Sequence, residues 1–443
     1  MRLVYVLLVY LLAPVVIAME AWKAAWNPEY RGRLGQRLGR VGPEPPEPCL
    51  WVHGVSVGEV QAAAALIQEL RKLSPDMPVV VTTVTPTGAQ RARALFGDTV
   101  FHCYLPYDLP GAVRRFLDRT RPRVAIIMET EIWPTLYHAL GMRGIPLVMA
   151  SARVSTRSVD RYRRMASLFR TTLSHGILIG AQTAADADRF RAIGAAPDRV
   201  RVTGNVKFDM EIPATSIAAG RAFRACHAAG RPVWIAGSTH EGEEEAAIAA
   251  HARVLARHPD ALLILVPRHP QRFDSVRALL RKRNVEFASR STGEEPAPRQ
   301  SLFLVDTLGE LQMFYAAADV AFVAGSLVPI GGHSLLEPAV LGLPMLSGPH
   351  NHNAQDVADL FEQCGALRIV RSREELAQRI CNWFDDPARA RADGERGRLA
   401  VTQSRGAVTR LVAMVAPLLS LPAGPVPGPG APPATSSASS GSR

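Results

Sequence analysis

Short apolar runs alternate with longer amphipathic runs along most of the chain. Strands that alternate with helices in this way predict a parallel sheet covered by helices on both faces. The alternation pauses at residues 204–212 and then resumes, so we expect an α/β protein with two Rossmann-like domains and a ligand cleft between them. The predicted strands are 50–53, 79–83, 124–128, 147–150, 176–180, 200–202, 233–236, 262–266, 302–305, 320–323, 344–346 and 367–370.

A long apolar run, residues 3–19, stands near the start of the sequence and is preceded by the basic residue Arg2. No small-residue cleavage site follows it, which favours an uncleaved membrane anchor over a signal peptide. Pro14 would kink such a helix, so an oblique or shallow insertion is an alternative to a full span. Interfacial tryptophans and basic residues follow and predict that the body lies on the cytoplasmic side: Trp22, Trp26, Lys23, Arg31, Arg33, Arg37 and Arg40.

These patterns divide the chain into four parts. We assign residues 1–26 to the anchor, 27–207 to a first domain and 208–420 to a second domain. Residues 421–443 are rich in Pro, Gly and Ser and are predicted to be disordered. A hydrophobic content of 47% with 21% charged residues suits globular α/β layers for the remainder.

The formal charge of +11 favours acidic partners such as phosphates or anionic lipids. Nucleic acid is not predicted as a partner, because no basic motif interleaved with aromatic residues and no zinc-finger spacing occurs. No CxxC pair occurs among the cysteines, which suits a reducing compartment. His350 and His352 lack a third metal-binding neighbour, so no metal site is predicted.

Three acidic residues and a lysine follow predicted strands of the first domain. Glu59, in HGVSVGE, would lie at the carboxyl end of the first strand, where it could take a proton from a substrate hydroxyl. Its alternative role is a helix-capping box with Ser56. Glu129 and Glu131, in METEIWP, suit either a polar pocket or a solvated loop. Lys207, in VTGNVKFD, would neutralise a phosphate or a sugar carboxylate, unless it is an ordinary surface lysine.

A glycine-rich stretch, residues 323–338, is the main candidate site of the second domain. Glycines allow backbone N–H groups to approach a ligand closely, and the helix predicted to begin near Ser334 favours an anion. His333 would contact a phosphate, and Glu337 would accept hydrogen bonds from ribose-like hydroxyls. The alternative is a glycine-rich turn in which Ser334 caps the helix.

Three more segments of the second domain carry polar residues at predicted strand ends. In AGSTHEGEEE, residues 237–239 would form either a phosphate seat or a helix N-cap. VPRHPQR supplies Arg268 and His269, and DTLGEL places Gly309 and Glu310 at a helix start. The absence of GxGxxG after the first strand and of GxxxxGK[ST] argues against dinucleotide-binding and P-loop functions.

Together these segments resemble the Kdo transferases of lipopolysaccharide synthesis, which are membrane-associated glycosyltransferases of the GT-B fold. The matching segments run in family order from about residue 30 to 405: HGVSVGE, METEIWP, SARVS, GNVKFD, AGSTHEGEE, VPRHPQR, DTLGEL and GGHSLLEPA. The resemblance implies transfer of 3-deoxy-D-manno-octulosonic acid (Kdo) from CMP-Kdo to lipid IVA at the inner membrane. It also implies that neither a metal nor another cofactor is required.

The resemblance also assigns roles to individual residues. Glu59 matches the general base, while Glu129 and Lys207 match positions that support the transition state. Where the family usually has Asn and Pro after GGH, this chain has Ser334 and Leu335, and we expect CMP binding to persist with altered geometry. The positions that match CMP contacts are Pro267, Arg268, Leu308, Gly309, Glu310, Ser334, Leu335, Leu336 and Glu337.

Two other functions are compatible with the same residues. One is a different GT-B nucleotide-sugar enzyme, a UDP-sugar transferase or epimerase, which would prefer uridine diphosphate. The other is a non-catalytic membrane-tethered binding protein, and the carboxylate of Glu59 argues against it.

Overall fold

The computed structural model describes residues 2–420, except 28–29, 31, 43–44, 46–47, 155–158, 160–161, 163–165, 174–175 and 298–299. The chain forms two compact units, of which the first comprises Met1–Asp209 with Gly406–Arg443 and the second comprises Met210–Arg405. Arg31 and the segment 421–443, which the sequence predicts to be disordered, lie outside the described residues.

The first unit is built on a parallel sheet in the strand order β3-β2-β1-β4-β5-β6-β7. Consecutive residues of its central strand face opposite sides of the sheet, so Ile126 and Ile127 pack into separate apolar clusters. The strands are β1 (Cys49–His53), β2 (Val79–Thr83), β3 (Phe101–Tyr104), β4 (Pro122–Met128), β5 (Leu147–Ala152), β6 (Leu178–Ala181) and β7 (Val200–Val202).

Helices cover both faces of this sheet, as runs of apolar residues on both faces require. The helices of the first unit before residue 210 are α1 (Arg2–Trp26), α2 (Arg33–Arg37), α3 (Val57–Leu73), α4 (Pro86–Phe96), α5 (Pro110–Thr120), α6 (Pro134–Met142), α7 (Ala166–Leu173) and α8 (Ala184–Ala192). Each helix that follows a strand begins near the carboxyl edge of the sheet, where polar side chains gather.

The second unit repeats this design with the strand order β10-β11-β9-β8-β12-β13-β14, again entirely parallel. The strands are β8 (Val233–Thr239), β9 (Leu262–Pro267), β10 (Phe287–Ser289), β11 (Leu302–Leu304), β12 (Val320–Val323), β13 (Met345–Ser347) and β14 (Leu367–Ile369). The helices are α9 (Ala214–His227), α10 (Glu243–Leu255), α11 (Phe273–Lys282), α12 (Leu311–Ala317), α13 (Leu336–Val340), α14 (Gln355–Gln363), α15 (Arg373–Asp385) and α16 (Pro387–Ser404). The predicted α/β class with two parallel-sheet domains is confirmed.

The C-terminal helix α17 (Ala407–Leu419) belongs to the first unit, whereas the sequence analysis assigned residues 208–420 to the second domain. Its apolar face packs against α3 and the sheet through residues such as Leu411 and Val415. The Asp209 carboxylate accepts hydrogen bonds from the N–H groups of Gly406 (2.5 Å) and Val408 (2.5 Å). Because the apolar face of α17 is buried against the first sheet, the helix is part of the first unit and not of the second.

The apolar helix α1 lies against the first unit. A half-buried stripe of side chains recurs at helical spacing along it, at Tyr5, Val9, Ala13 and Ile17, and the helix contacts α2 and α6. The Tyr5 hydroxyl donates a hydrogen bond to Asp108 (2.8 Å). The opposite side exposes apolar residues over its full length: Leu3, Leu7, Leu11, Val15, Met19, Trp22 and Trp26. Within the described residues this helix alone is long and apolar enough to cross a membrane.

Two arginines that the sequence analysis counted as membrane-facing lie instead inside the first unit. The Arg33 guanidinium is stacked between the rings of Tyr30 and Tyr104 and is 4% exposed. The Arg37 guanidinium donates to the Leu105 carbonyl (2.6 Å). Both fix the chain after α1 to the sheet, so they cannot serve as lipid-facing charges. The set of basic residues expected at the membrane surface after α1 therefore loses Arg33 and Arg37.

Candidate active site

Each sheet has a point where the strand order reverses, and ligands of open α/β sheets bind at the carboxyl edge there. In the first unit this point lies between β1 and β4, and in the second between β8 and β12. Glu59 follows β1 and Glu129 follows β4, so the two carboxylates that the sequence analysis chose flank the first reversal point. The glycine-rich stretch after β12 flanks the second.

Glu59 lies in the first turn of α3 and is half-buried. Its carboxylate accepts hydrogen bonds from the Val55 N–H (2.7 Å) and the Ser56 hydroxyl (3.2 Å). Only half of the alternative capping box is present. The Glu59 carboxylate accepts a backbone N–H before the helix, but the Ser56 side chain accepts no hydrogen bond from the helix. Burial raises the pKa of Glu59, the Val55 hydrogen bond opposes the rise, and the charge of Glu129 adds to it. A raised pKa suits a carboxylate that accepts a proton.

Glu129 takes the left-handed backbone conformation, with φ of 55°, directly after β4. Its carboxylate binds the Lys207 ammonium (2.6 Å) and the Arg153 guanidinium (3.2 Å). Burial acts to raise the pKa of Glu129, but the charges of Lys207 and Arg153 outweigh it, and the net pKa is lowered. Glu129 therefore stays ionised. Strained backbone at a strand end is typical of functional sites, where surrounding contacts hold it in place.

Lys207 is positioned by a chain of buried polar groups from three strand ends. Its N–H donates to the Asn205 side-chain oxygen (3.0 Å), and the Asn205 amide donates to Gln182 (3.1 Å). Gln182 in turn donates to the Ser151 carbonyl (3.0 Å), and Ser151, like Glu129, has a positive φ. These bonds fix the short turn Val206–Asp209, so the lysine reaches Glu129 with little freedom.

A third carboxylate, Glu131, shares this neighbourhood. Burial first, and then the charges of Glu59 and Glu129, raise the pKa of Glu131 to about 7. No ion pair to Glu59 or Glu131 occurs among the residues that the structure describes. The site therefore combines one cation-bound carboxylate with two whose protonation is favoured, and Glu131 titrates in the physiological range.

The positions in the second unit that match CMP contacts differ strongly in exposure. Arg268 is exposed just past β9, while Pro267 is the buried last residue of that strand. Leu308 exposes 68% of its surface, and Gly309 has a positive φ of 87°. The Glu310 carboxylate binds the Arg290 guanidinium (2.8 Å) and the Thr307 hydroxyl. Leu308 is thus accessible to a ligand, whereas Glu310 is engaged in an ion pair.

The predicted helix after the glycine pair begins two residues later than expected, at Leu336. Ser334 is exposed and precedes the helix, so it does not cap it. Leu335 and Leu336 are 2% and 5% exposed, and only their backbones can meet a ligand. Glu337 accepts a hydrogen bond from Gln312 (2.9 Å), and burial raises its pKa, which the Arg268 charge opposes.

The loop after β12 binds a carboxylate side chain from the same protein. The Glu243 carboxylate, from the first turn of α10, accepts hydrogen bonds from the N–H groups of Gly325 (2.7 Å), Ser326 (3.0 Å) and Leu327 (3.0 Å). Glu243 is fully buried. The expectation that residues 323–338 offer backbone N–H groups to a ligand is therefore wrong at Gly325 and at the two residues after it, because their N–H groups already bind Glu243. Glu243 itself was missed, because in sequence it is only one of three first-turn glutamates.

Three histidines converge at the second reversal point. His240 follows β8, His269 follows β9 and His333 follows β12. The Nε2 atoms of His240 and His333 are 2.8 Å apart, and the rings of His240 and His269 meet edge to face at 5.3 Å. The sequence analysis named His269 and His333 but missed His240. No group of three or more metal-binding side chains with suitable geometry occurs within the described residues.

Solved structures of two nucleotide-sugar or glycosyl enzymes, by their names, share this fold. UDP-GlcNAc 2-epimerase from Neisseria meningitidis bound to UDP-GlcNAc superimposes with a TM-score of 0.56 at 14% identity, covering 83% of this chain and 99% of that one. A glycosyltransferase from Rickettsia africae ESF-5 gives 0.54 at 12% identity, with 85% and 100% covered. These likenesses establish the fold, and the chain is of the GT-B class.

Sequence comparison narrows the class to a family. The family model described as 3-deoxy-D-manno-octulosonic-acid transferase (kdotransferase) matches residues 32–210. The 3-deoxy-D-manno-octulosonic acid transferase of Haemophilus influenzae is 37% identical over 94% of this chain and 99% of its own length. That of Bordetella pertussis is 38% identical, over 91% and 97%. The chain belongs to the 3-deoxy-D-manno-octulosonic acid transferase family and is a glycosyltransferase.

Proposed function

We propose that this enzyme transfers Kdo from CMP-Kdo to lipid IVA by a metal-independent, inverting displacement in which Glu59 is the general base. Membership of the family supports Kdo as the transferred sugar. CMP-Kdo and lipid IVA follow from the resemblance of the motifs in the two domains.

The observation that carries the proposal is the unequal treatment of two carboxylates at one sheet edge. Glu129 holds Lys207 and Arg153, which keep it ionised. Glu59 has hydrogen bonds from Val55 and Ser56 and a raised pKa. Two carboxylates with pKa values pushed in opposite directions are the arrangement expected when one exchanges protons and the other provides fixed charge.

In the proposed step, Glu59 removes the proton of a primary hydroxyl on the acceptor. The hydroxyl oxygen attacks the ketosidic carbon of Kdo, and the bond from that carbon to the CMP phosphate oxygen breaks. CMP leaves with the electron pair, and the configuration at the carbon inverts. Lys207 offsets the Kdo carboxylate while remaining paired with Glu129, and this fixed charge requires no reorganisation during the reaction.

The second unit supplies the groups proposed to hold the leaving nucleotide. Arg268 is the exposed cation of its carboxyl edge and opposes negative charge on the departing phosphate. Exposed Leu308 offers an apolar contact to the nucleotide, and the Glu337 carboxylate accepts a hydrogen bond from a ribose hydroxyl. Because Leu335 and Leu336 are buried, we assign their contribution to backbone groups. The side chain of Ser334 is exposed and free to donate to phosphate in place of the family's usual Asn.

We propose that α1 attaches the enzyme to the inner membrane, with the body on the cytoplasmic side. The apolar side of α1 is exposed from Leu3 to Trp26, which suits insertion into lipid. The other side carries a half-buried stripe, contacts α2 and α6, and is tied at one end by the hydrogen bond from Tyr5 to Asp108. A helix bound to the body along one side supports an orientation in the membrane plane, the shallow alternative of the sequence analysis.

The test is turnover of CMP-Kdo with lipid IVA, compared between the wild type, Glu59→Gln and Glu59→Ala. Glutamine retains an oxygen for the Val55 N–H but cannot accept a proton, so it separates catalysis from helix capping. We expect both variants to lose at least about 100-fold in kcat while CMP affinity stays within about twofold. Residual transfer in Glu59→Gln near the wild-type rate would contradict the assignment. Competition by UDP stronger than by CMP would favour a different GT-B enzyme.

A further inference from the structure

His240 and His333 form a hydrogen-bonded pair across the second reversal point. Their Nε2 atoms are 2.8 Å apart, their ring centroids are 5.0 Å apart, and their planes differ by 5°. Rings that are parallel and joined nitrogen to nitrogen at this distance lie end to end in nearly one plane. One nitrogen must donate to the other, so a single proton is shared between the Nε2 atoms. The pair joins the loop after β8 to the loop after β12.

The shared proton limits the charge that the pair can carry. A neutral pair has one free ring nitrogen, the Nδ1 of the donating ring, and a proton added there gives a single positive charge. A second added proton would set two N–H groups against each other and break the bond. The pair therefore has two useful states, neutral and singly charged, and both keep the loops joined.

The surroundings favour the neutral state while no anion is bound. Burial first, and then the charges of His269, Arg268 and Arg272, lower the pKa of His240, against which Glu243 acts. Burial, Arg268, His240 and His269 lower the pKa of His333 to about 4. Glu243 opposes this shift in His240 but does not reverse it, and its carboxylate also accepts the N–H groups of Gly325, Ser326 and Leu327. This edge is rich in cationic groups, and the nearby buried carboxylate of Glu244 is paired with Arg272 (3.1 Å).

We propose that the His240–His333 pair is a positioning element of the donor site that takes up one proton from solvent when the nucleotide phosphate binds. The inference rests on the proposed function, because the phosphate is that of the CMP portion of the donor. The proton adds to the free Nδ1, no other bond forms or breaks, and the new positive charge faces the bound anion together with Arg268. As the reaction ends and CMP departs, the proton returns to solvent.

A purely structural latch between the loops is the competing explanation, and it predicts no proton exchange. Glutamine distinguishes the two, because its amide can keep a hydrogen bond within the pair but cannot take up a proton. Alanine removes both the bond and the proton site. His227→Gln is the matched control, since His227 lies on α9 beside Glu295, outside this group.

The experiment measures CMP binding to the full-length enzyme by calorimetry, in non-phosphate buffers with different ionisation enthalpies, from about pH 6 to about pH 8. We expect the wild type and His227→Gln to take up a proton when CMP binds. We also expect their CMP affinity to increase from about pH 8 to about pH 6 by about tenfold more than the CMP affinity of His333→Gln does. We expect His333→Gln and His240→Gln to unfold at temperatures close to the wild type but to lose the pair's share of uptake. His269→Gln subtracts the contribution of the exposed neighbour.

The outcomes separate the two proposals. If the wild type binds CMP, and His333→Gln and His240→Gln take up as many protons as the wild type does, the role of the pair is overturned and the donor assignment stays intact. Failure of the wild type to bind CMP would overturn the donor assignment and, with it, this inference. If His333→Ala unfolds at a lower temperature while His333→Gln does not, the bond between the loops is structural and the loss in His333→Gln reports the proton alone.

Discussion

The Lys207 ammonium lies 2.6 Å from the Glu129 carboxylate, at the edge where β4 ends. Glu129 is mostly buried and Lys207 is 30% exposed, so this pair is better shielded from solvent than most ion pairs on the surface. It links the turn after β7 with a backbone held in the left-handed conformation after β4. We expect this link to fix the shape of the site as well as its charge.

Lys207→Met should therefore lower both activity and stability. Glu129 would keep Arg153 as its single cation, so its pKa would rise, and we expect kcat to fall at least about 100-fold and unfolding free energy by about 1–3 kcal/mol. Steady-state kinetics and urea unfolding measure the two effects. Lys72→Met is the control, because Lys72 makes an exposed pair with Glu69 that should contribute at most about 1 kcal/mol. Equal effects of the two substitutions would refute the role of Lys207.

Glu131→Gln should change stability in a pH-dependent way. The pKa of Glu131 is raised to about 7 in the folded state, so the folded protein binds more protons than the unfolded chain between about pH 4.5 and 7. This group therefore lowers stability progressively as the pH rises through that range. Glutamine removes the penalty, so the variant should be more stable than the wild type at about pH 8 and similar at about pH 5. Unfolding midpoints at both pH values measure this, and a gain confined to the acidic side would contradict it.

Much of the fold is readable in the sequence, because buried parallel strands leave uninterrupted apolar runs. All twelve predicted strands overlap observed ones. Strands β3 and β10 were not predicted. Both are edge strands, and β3 mixes polar His102 with exposed Phe101, so neither has the apolar pattern of a buried strand.

The candidate site was harder to read, because its decisive contacts join residues far apart in sequence. Glu243 binds N–H groups at Gly325 and Ser326, and no local spacing predicts that the glycine-rich loop is already occupied by a carboxylate. His240 is likewise unremarkable until His333 is brought to it by the neighbouring strand. Strand-end positions could be chosen from the pattern, but their pairing needed the tertiary structure.

Glu243→Ala should weaken the loop after β12. Three loop N–H groups would lose their buried acceptor, and we expect unfolding free energy to fall by at least about 3 kcal/mol. Hydrogen exchange at Gly325, Ser326 and Leu327 should accelerate more than exchange in β12 itself. Glu241→Ala serves as the control, since the Glu241 side chain is 86% exposed and pairs only weakly with Arg272. Unchanged exchange at the three amides in Glu243→Ala would show that other groups hold the loop.

Helix α1 is expected to lie in the plane of the membrane. A helix that spans the bilayer would carry Leu3 and Trp22 to opposite interfaces, whereas a helix in the membrane plane keeps both at one depth. The packed stripe from Tyr5 to Ile17 leads us to expect similar depths. Spin labels at Leu3→Cys and Trp22→Cys, in a background where exposed Cys226 is replaced by serine, report depth through collisions with oxygen and a polar relaxant in anionic vesicles.

Tyr5→Phe extends this test to the contact that holds the helix. Loss of the hydroxyl removes the Asp108 hydrogen bond and should cost about 1 kcal/mol without changing CMP affinity. Asp108 also accepts the N–H groups of Thr135 (2.9 Å) and Leu136 (2.8 Å) at the start of α6, just after Glu129 and Glu131. Helix α1 is therefore tied, through Asp108, to the segment that carries two of the site's carboxylates. If the label at Leu3→Cys, with Tyr5 intact, lies in the leaflet opposite the label at Trp22→Cys, the contact between α1 and the body is absent in membranes and the in-plane orientation is wrong.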